Sequence, residues 1–524
     1  MSILLSFVLC LRIKKGEENI SLFNNKKRVL KGIVSVASLA LAIGCGSEQK
    51  QANNTAERPK EQWLAGDHHV HSRFSVGLDE KTNPPTPVVG GDAIYPIPMN
   101  VAMGRRFGLD WMVTTDHGGP DHAKITLEHA YPELLESRKA TPEVIQYMGM
   151  EFDTPGADHS SIIMPIGKKE ATNLFEIESK FNKKEPWPED PSWDTEERMI
   201  EALEAMKKLE PAPVVIAHHP ARSAKALGEY GLTGPAELRR WNDAAPDIAI
   251  GMEGAPGHQA IAQLKTRFGQ PSNHSRYFAF VRPRGIYGRM LGGYPTMGGF
   301  DQMTARLGGF WDSMLGERRR WWITANSDSH IHWTDGGADF WPGEYSKTYV
   351  LANKNPAEIF NSIRNGRIFV TTGDLIAEVW FDARTGSSET ASIGDTLEVG
   401  SGDKVILDLR VLDPSTNNHN GENPTLERVD LIFGEFFEGE VGLETDENPS
   451  TRVLQRWTRQ ELSSQGNYLK TQYRIANPKK SFYVRLRGTN SSELEPLEDA
   501  ENENPWEDLW FYTNPIFIEV SNLD

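Results

Sequence analysis

The chain has 524 residues, too many for one core of ordinary size, so two or more domains are expected. A composition of 38% hydrophobic and 25% charged residues is that of a globular protein, and a net charge of -17 argues against nucleic acid as a partner, because a phosphate backbone demands a basic face. Only two cysteines occur, Cys10 and Cys45, both ahead of the folded part, which excludes a disulfide framework, a thiolate zinc site and a thiol nucleophile from the body of the chain.

The N-terminus reads as a targeting segment. Lys26-Lys27-Arg28 is a basic region, and the apolar stretch from Gly32 to Ile43 is too short to span a bilayer as a stable helix. It ends in Leu41-Ala42-Ile43-Gly44-Cys45, which resembles a bacterial lipobox. That resemblance implies cleavage before Cys45, lipidation of its thiol and attachment to a membrane of the cell envelope. An ordinary signal peptide and an uncleaved anchor are the alternatives, and all three imply export. Residues 1–45 are thus expected to be a lipoprotein signal peptide. Residues 46–62, polar and rich in Gln and Asn, are expected to be a flexible tether.

From residue 63 to 373 short apolar runs alternate with helical patterns. Trp111–Thr114, Val144–Met150, Pro213–Ala217, Asp247–Met252 and Trp321–Ala325 read as buried strands, and Glu197–Leu209 and Pro356–Asn365 as helices. Such alternation predicts parallel β/α units. Each strand is followed by histidines or carboxylates, and in a β/α barrel the C-terminal strand ends converge on one face, so residues far apart in sequence would meet. Within this region the insertion at about 256–320, rich in Gly, Arg and aromatics, reads as a lid or binding loop or as a peripheral excursion. Beyond Gly373 the runs Ile376–Phe381, Val405–Val411, Arg428–Phe433, Lys470–Ile475, Phe482–Arg487 and Ile516–Val520 alternate and are separated by turn residues, which predicts an antiparallel β-sandwich over 374–524. That part holds one histidine, His419, and no ligand cluster.

Thirteen of the fourteen histidines lie between His68 and His332. His69 and His71 are spaced to share one face of a strand, as are Asp328 and His330, whereas His68 and His218 are expected to face the other way. Glu151 follows a strand and offers a carboxylate able to bridge two cations. His219 stands before Pro220, which stops its strand. Neutral imidazoles with carboxylates suit Zn, Mn or Fe. Glu253 reads equally as a contact near the site and as a solvated strand end.

The order of these motifs, HxH (69–71), TDH (115–117), Glu151 with His159, HP (219–220) and DxH (328–330), resembles the polymerase-and-histidinol-phosphatase (PHP) family of metal-dependent phosphoesterases over residues 63–373. The stretch 343–373, followed by a sandwich with TNPI at 513–516, looks like the branch that includes carbaryl-hydrolysing enzymes. The resemblance implies an α/β fold, a distorted TIM-like (β/α) barrel. It implies one cation held by His69, His71, Glu151 and Asp328, and a second by Glu151, His159 and His219. A third site in the family uses His117 and His330 with an Asp or His soon after HxH. Here that place is Ser75-Val76-Gly77, which offers no ligand, and Asp79 is the nearest candidate; two cations are therefore expected. His117 or His330 is expected to protonate the leaving group. Arg73, Arg222, Arg284 and His258 are candidates to hold substrate. The expected activity is hydrolysis of a small phosphoester by a metal-activated water. A carboxyl-ester or carbamate hydrolase on the same centre is the alternative, and a non-catalytic ligand-binding lipoprotein the second. No protein partner is evident.

Overall fold

The apolar run ahead of the first histidines forms β1 (Gln62–Asp67), buried from Trp63 onward. A hairpin of β2 (Gly77–Asp79) and β3 (Thr86–Val88) follows. The next strands are β4 (Trp111–Thr114), β5 (Ile145–Asp153), β6 (His159–Ile163), β7 (Val214–Ala217) and β8 (Ala249–Ala255). After the two-stranded pair β9 (Thr296–Met297) and β10 (Phe300–Asp301) comes β11 (Trp322–Ala325). β4, β7, β8 and β11 are buried along their whole length, which is why their sequences run apolar without alternation. Helices cover this sheet. In the helix Glu196–Met206 the apolar Met199, Ala202, Leu203 and Met206 form the buried stripe, Thr195 accepts a bond from the Arg198 N–H, and Glu196 and Glu197 stand in the first turn, where the helix dipole favours acid. The computed structural model describes residues 61–521 apart from 80, 84, 258–259, 261–295, 387–388, 401, 439–445 and 500–502. The expected leader with Cys45, nearly all of the tether, much of the insertion, His258 and Arg284 therefore lie outside the described residues. Among the described residues no helix is long and apolar enough to cross a membrane.

The strands run β11-β8-β7-β6-β5-β4-β1 across the sheet. Neighbours β1 and β4, β4 and β5, β7 and β8, and β8 and β11 are parallel. β6 is antiparallel to both β5 and β7, so the regular β/α succession is broken by a hairpin. His159 therefore begins its strand, yet reaches the same edge at which β5 and β7 end. No closed barrel forms among the described strands, because β1 passes on to an antiparallel partner, β12 (Ser346–Ala352), instead of to β11. Beyond the strand ends a single parallel bridge joins Val70 to Ser329, with the His71 N–H donating to the Ser329 carbonyl at 3.0 Å.

The sheet does not stop at Gly373. β12 pairs with β13 (Ile368–Thr372), and the remaining strands are β14 (Glu378–Arg384), β15 (Thr390–Ser392), β16 (Thr396–Gly400), β17 (Lys404–Leu412), β18 (Arg428–Glu435), β19 (Arg452–Thr458), β20 (Ser463–Gln465), β21 (Tyr468–Ala476), β22 (Phe482–Thr489), β23 (Trp510–Thr513) and β24 (Ile516–Ser521). β13 pairs with β23, which continues the sheet to β22, β18 and β19, with β24 and β16 attached at β22. A separate five-stranded antiparallel sheet, β15-β14-β17-β21-β20, faces it. Along β14 and β17 buried and half-buried residues alternate, the mark of a sheet with one covered face. The core between the sheets combines Val379, Leu407 and Phe482 with Trp63, Leu351 and Phe369 from the part of the chain before Gly373.

Candidate metal centre

β1 stops at Asp67, whose two carboxylate oxygens accept from the His69 N–H (3.0 Å) and the Ser327 N–H (3.1 Å). One buried side chain thus clips the segments after β1 and β11 together and brings His69 and His71 against Asp328. Asp328 sits at φ 48°, a left-handed conformation costly for a residue with a Cβ and one that concentrates at functional sites.

His69 Nε2 lies 3.1 Å from His71 Nε2, 3.4 Å from Glu151 Oε2 and 3.0 Å from Asp328 Oδ1. His71 Nε2 is 3.2 Å from both carboxylates. The opposite ring nitrogens are committed elsewhere: His69 Nδ1–H donates to Glu253 Oε1 at 2.7 Å, and His71 Nδ1–H to Ser75 Oγ at 3.0 Å. Each Nε2 is then a bare lone pair, and two of them face two carboxylate oxygens. Four acceptors at such separations repel unless a cation sits among them. Metal–ligand distances of about 2.0–2.2 Å would set tetrahedral ligand atoms about 3.3–3.6 Å apart, close to what is observed. The residues present therefore fit a divalent ion. A proton and a divalent ion compete for this point: burial disfavours charge on His69, but the carboxylates of Asp328, Glu151 and Glu253 outweigh it and hold the ring well above the usual imidazole range, so positive charge of either kind is favoured there.

Glu151 lies inside β5 and is almost fully buried. Its Oε2 faces His69, His71 and His117 (2.9 Å). Its Oε1 faces His159 Nδ1 (2.9 Å), His219 Nε2 (3.1 Å) and His218 Nδ1 (2.9 Å). Burial opposes its ionisation, yet the facing imidazoles of His117, His159 and His69 keep the carboxyl well below the usual carboxylate range. One carboxylate with three imidazoles at each oxygen has the chemistry to bridge two cations.

His218 was expected to face away from this group and does not. β7 ends at Ala217, and His219 adopts φ 25°, so strand alternation has lapsed where the two histidines stand. Both rings reach Glu151, and the His218 ring stacks on His69 at 3.6 Å. Burial pushes His218 well below the ordinary imidazole range, which leaves a neutral ring whose Nδ1–H donates to Glu151. His68 does turn to the other side, with its nitrogens on Ser161 Oγ (3.0 Å) and Thr324 Oγ1 (2.8 Å). Glu253 is fully buried and takes the His69 proton on one oxygen and the His219 N–H on the other at 2.5 Å.

Around His117 and His330 the structure supplies an acid that the sequence reading missed. Ser75 Oγ accepts from His71 and from the His117 N–H (3.2 Å), and donates to Asp92 Oδ2 at 2.7 Å. Asp92 Oδ2 is 3.4 Å from His330 Nε2, and the His330 ring stacks on His71 at 3.7 Å. His71, Asp92, His117 and His330 each bring a ligand atom within 4.8 Å of the others. Burial disfavours charge on His330, but Asp92 and Asp328 raise it to about 10. His117 goes the other way: burial lowers it to about 4 against the pull of Glu151. Asp79 does not join them, since its carboxylate accepts from the Lys81 N–H at 3.0 Å in the hairpin turn.

Of the described arginines expected near substrate, Arg73 turns to Glu133 on the helix Tyr131–Ala140, while Arg222 stays at the site. Its Nε donates to Asp158 Oδ2 at 3.2 Å and its Nη2 lies 3.3 Å from His159 Nδ1. No protein-family model matches the chain, and no curated protein matches it.

Proposed function

We propose that the chain is an exported, metal-dependent phosphoesterase whose site is that of a PHP-type hydrolase, carried on an open, mostly parallel sheet in place of a closed β/α barrel. The observation that carries this reading is Glu151, buried among six imidazoles with each oxygen facing three of them. His69, His71, Asp328 and Glu151 would hold one divalent cation, and Glu151, His159 and His219 a second. His117, His330 and Asp92 would hold a third, with Asp92 filling the place for which Asp79 was the nearest candidate. Zn, Mn and Fe suit this mixture of imidazole and carboxylate. Divalent ions held there supply Lewis-acid polarisation of the ester and bring the pKa of water toward neutrality. The chain's own part is to orient and to exclude water: His218 and Glu253 fix Glu151 and His69 through their hydrogen bonds. Arg222, beside His159, favours a substrate with anionic oxygens over a neutral carbamate.

Elemental analysis of the purified protein, followed by turnover of phosphate mono- and diesters, carboxyl esters and carbamates, tests the reading. About three equivalents of metal and turnover of phosphoesters are expected. Carbamate or carboxyl-ester turnover alone would replace the phosphoester reading, and a metal-free protein would end it.

A further inference from the structure

A lysine that the sequence reading passed over stands at the same site. The helix Glu170–Phe181 ends at Asn182, whose N–H donates to the Glu178 carbonyl at 3.0 Å. The buried Asn182 side chain accepts from the Lys184 N–H (2.9 Å) and donates to Asp153 Oδ2 (3.2 Å). The Lys183 N–H donates to the Asp153 carbonyl at 3.2 Å, and its Nζ to the Ala157 carbonyl at 2.6 Å. This loop is thereby docked onto the end of β5, the strand that carries Glu151. Trp187 Nε1–H donates to Asn83 Oδ1 at 2.8 Å, tying the loop to the β2–β3 hairpin as well.

The docking delivers Lys184 Nζ to 2.5 Å from Asp153 Oδ1, and His159 Nε2 is 3.4 Å from the same oxygen. Asp153 is fully buried, whereas the Lys184 side chain is 49% exposed, so an ammonium with three N–H donors is held at the rim with donors to spare. Arg222 flanks His159 from the other ring nitrogen. Asp153 draws the ammonium above the ordinary lysine range while Arg222 works against it, so the two cations feel one another across His159. Each cation has its own carboxylate, Lys184 with Asp153 and Arg222 with Asp158, and each keeps further N–H donors on its side of His159.

We propose that Lys184 binds substrate, donating with Arg222 to a phosphate-type anionic group seated over His159. This assignment rests on the phosphoesterase reading. The simpler role, neutralising Asp153, predicts a different outcome in one experiment. Binding of inorganic phosphate to the metal-loaded full chain is measured by calorimetry, with metal content determined for each variant. Lys184→Met should bind phosphate about ten-fold more weakly at unchanged metal content, and Lys184→Arg should keep most of the affinity. The Asp153→Asn/Lys184→Met double variant should stay weak. Wild-type affinity in Lys184→Met, its recovery in the double variant, loss of metal from Lys184→Met, or no phosphate binding by the wild type would each overturn the proposal. A wild type that binds phosphate through Lys184 but hydrolyses no phosphoester would sink only the phosphoesterase reading. Phosphoester turnover with an unaltered KM in Lys184→Met would sink only the role of Lys184.

Discussion

His69 can offer one nitrogen to a cation, and Glu253 decides which, because its Oε1 takes the Nδ1 proton. The second oxygen of Glu253 holds the His219 N–H, so a single carboxylate orients one side chain of each of the first two proposed metal places. Glutamine in its stead would turn one acceptor into a donor and leave either the His69 proton or the His219 N–H without its partner. Glu253→Gln should therefore weaken metal binding roughly 10–100-fold with the fold intact, as read by chelator competition and circular dichroism. Unaltered affinity would remove Glu253 from the set. A different histidine ties protonation to stability. His122 is buried against Glu178 Oε1 (2.9 Å) and the Phe74 carbonyl (2.7 Å). Burial opposes its charge, but Glu178 prevails and raises it from 6.5 to about 9. The folded value lies above the unfolded one, so this stabilisation is whole below about pH 6.5 and is lost as pH climbs to about 9. His122→Asn should cost on the order of 3 kcal/mol at about pH 6, with the gap to wild type closing toward about pH 10 in thermal melts. Most of the side chains that the structure clusters were legible in the sequence because they stand near or just beyond strand ends. His218 was misread because alternation holds only while the strand lasts, and β7 stops one residue earlier.

Asp92 could not be read from its neighbours, because an element brings it to the site. The β2–β3 hairpin folds back so tightly that a Cβ on Gly91 would stand 2.6 Å from the Gly77 Cα and 3.1 Å from the Val88 carbonyl oxygen. Both are backbone atoms that a rotamer change cannot clear. This approach returns the chain to Ser75 and sets Asp92 against it. The same hairpin commits Asp79, at the end of β2, to the Lys81 N–H, so the acid closer in sequence serves the turn and one further along joins the cluster. Gly91→Ala should open the hairpin and displace Asp92. If Asp92 completes the third place, elemental analysis should fall from about three equivalents of metal to about two, and Asp92→Ala should do the same. Full metal content in both variants would assign Asp92 to orienting Ser75 alone. The placement of the β5–β6 hairpin has a similar lesson: β6 begins His-Ser-Ser, too polar to read as a strand, and only its pairing with β5 shows that His159 opens one.

At the scale of the molecule, the texture change at Gly373 was plain in the sequence and the hydrogen bonding across it was not. The strand pattern is local, but β1 pairs with β12 and β13 with β23, partners that lie far along the chain and leave no local periodicity to read. Two consequences follow for the parts of the chain. β13 is an interior strand only because Phe369–Thr371 pair with Phe511–Thr513, and Trp63, Leu351 and Phe369 share their core with residues beyond Gly373. Cutting after Gly373 would strip the partner from β13 and leave a bare apolar edge, separated by β12 alone from the strand that leads to His69 and His71, a site for intermolecular pairing. Buried Asp312 in the helix Phe310–Gly316 would also lose Arg485, whose Nε and Nη2 it binds at 3.0 and 2.8 Å, and an uncompensated buried charge costs about 3–5 kcal/mol. A chain truncated to 63–373 should therefore aggregate or fail to bind metal, whereas the intact chain should melt in one transition by calorimetry. A soluble, metal-loaded truncation with the turnover of the full chain would show that the two halves fold independently and that the shared sheet is dispensable. The distinction bears on the centre itself, because β1, which carries His69 and His71 just beyond its end, takes one of its two strand partners, β12, from the run that continues into the second half.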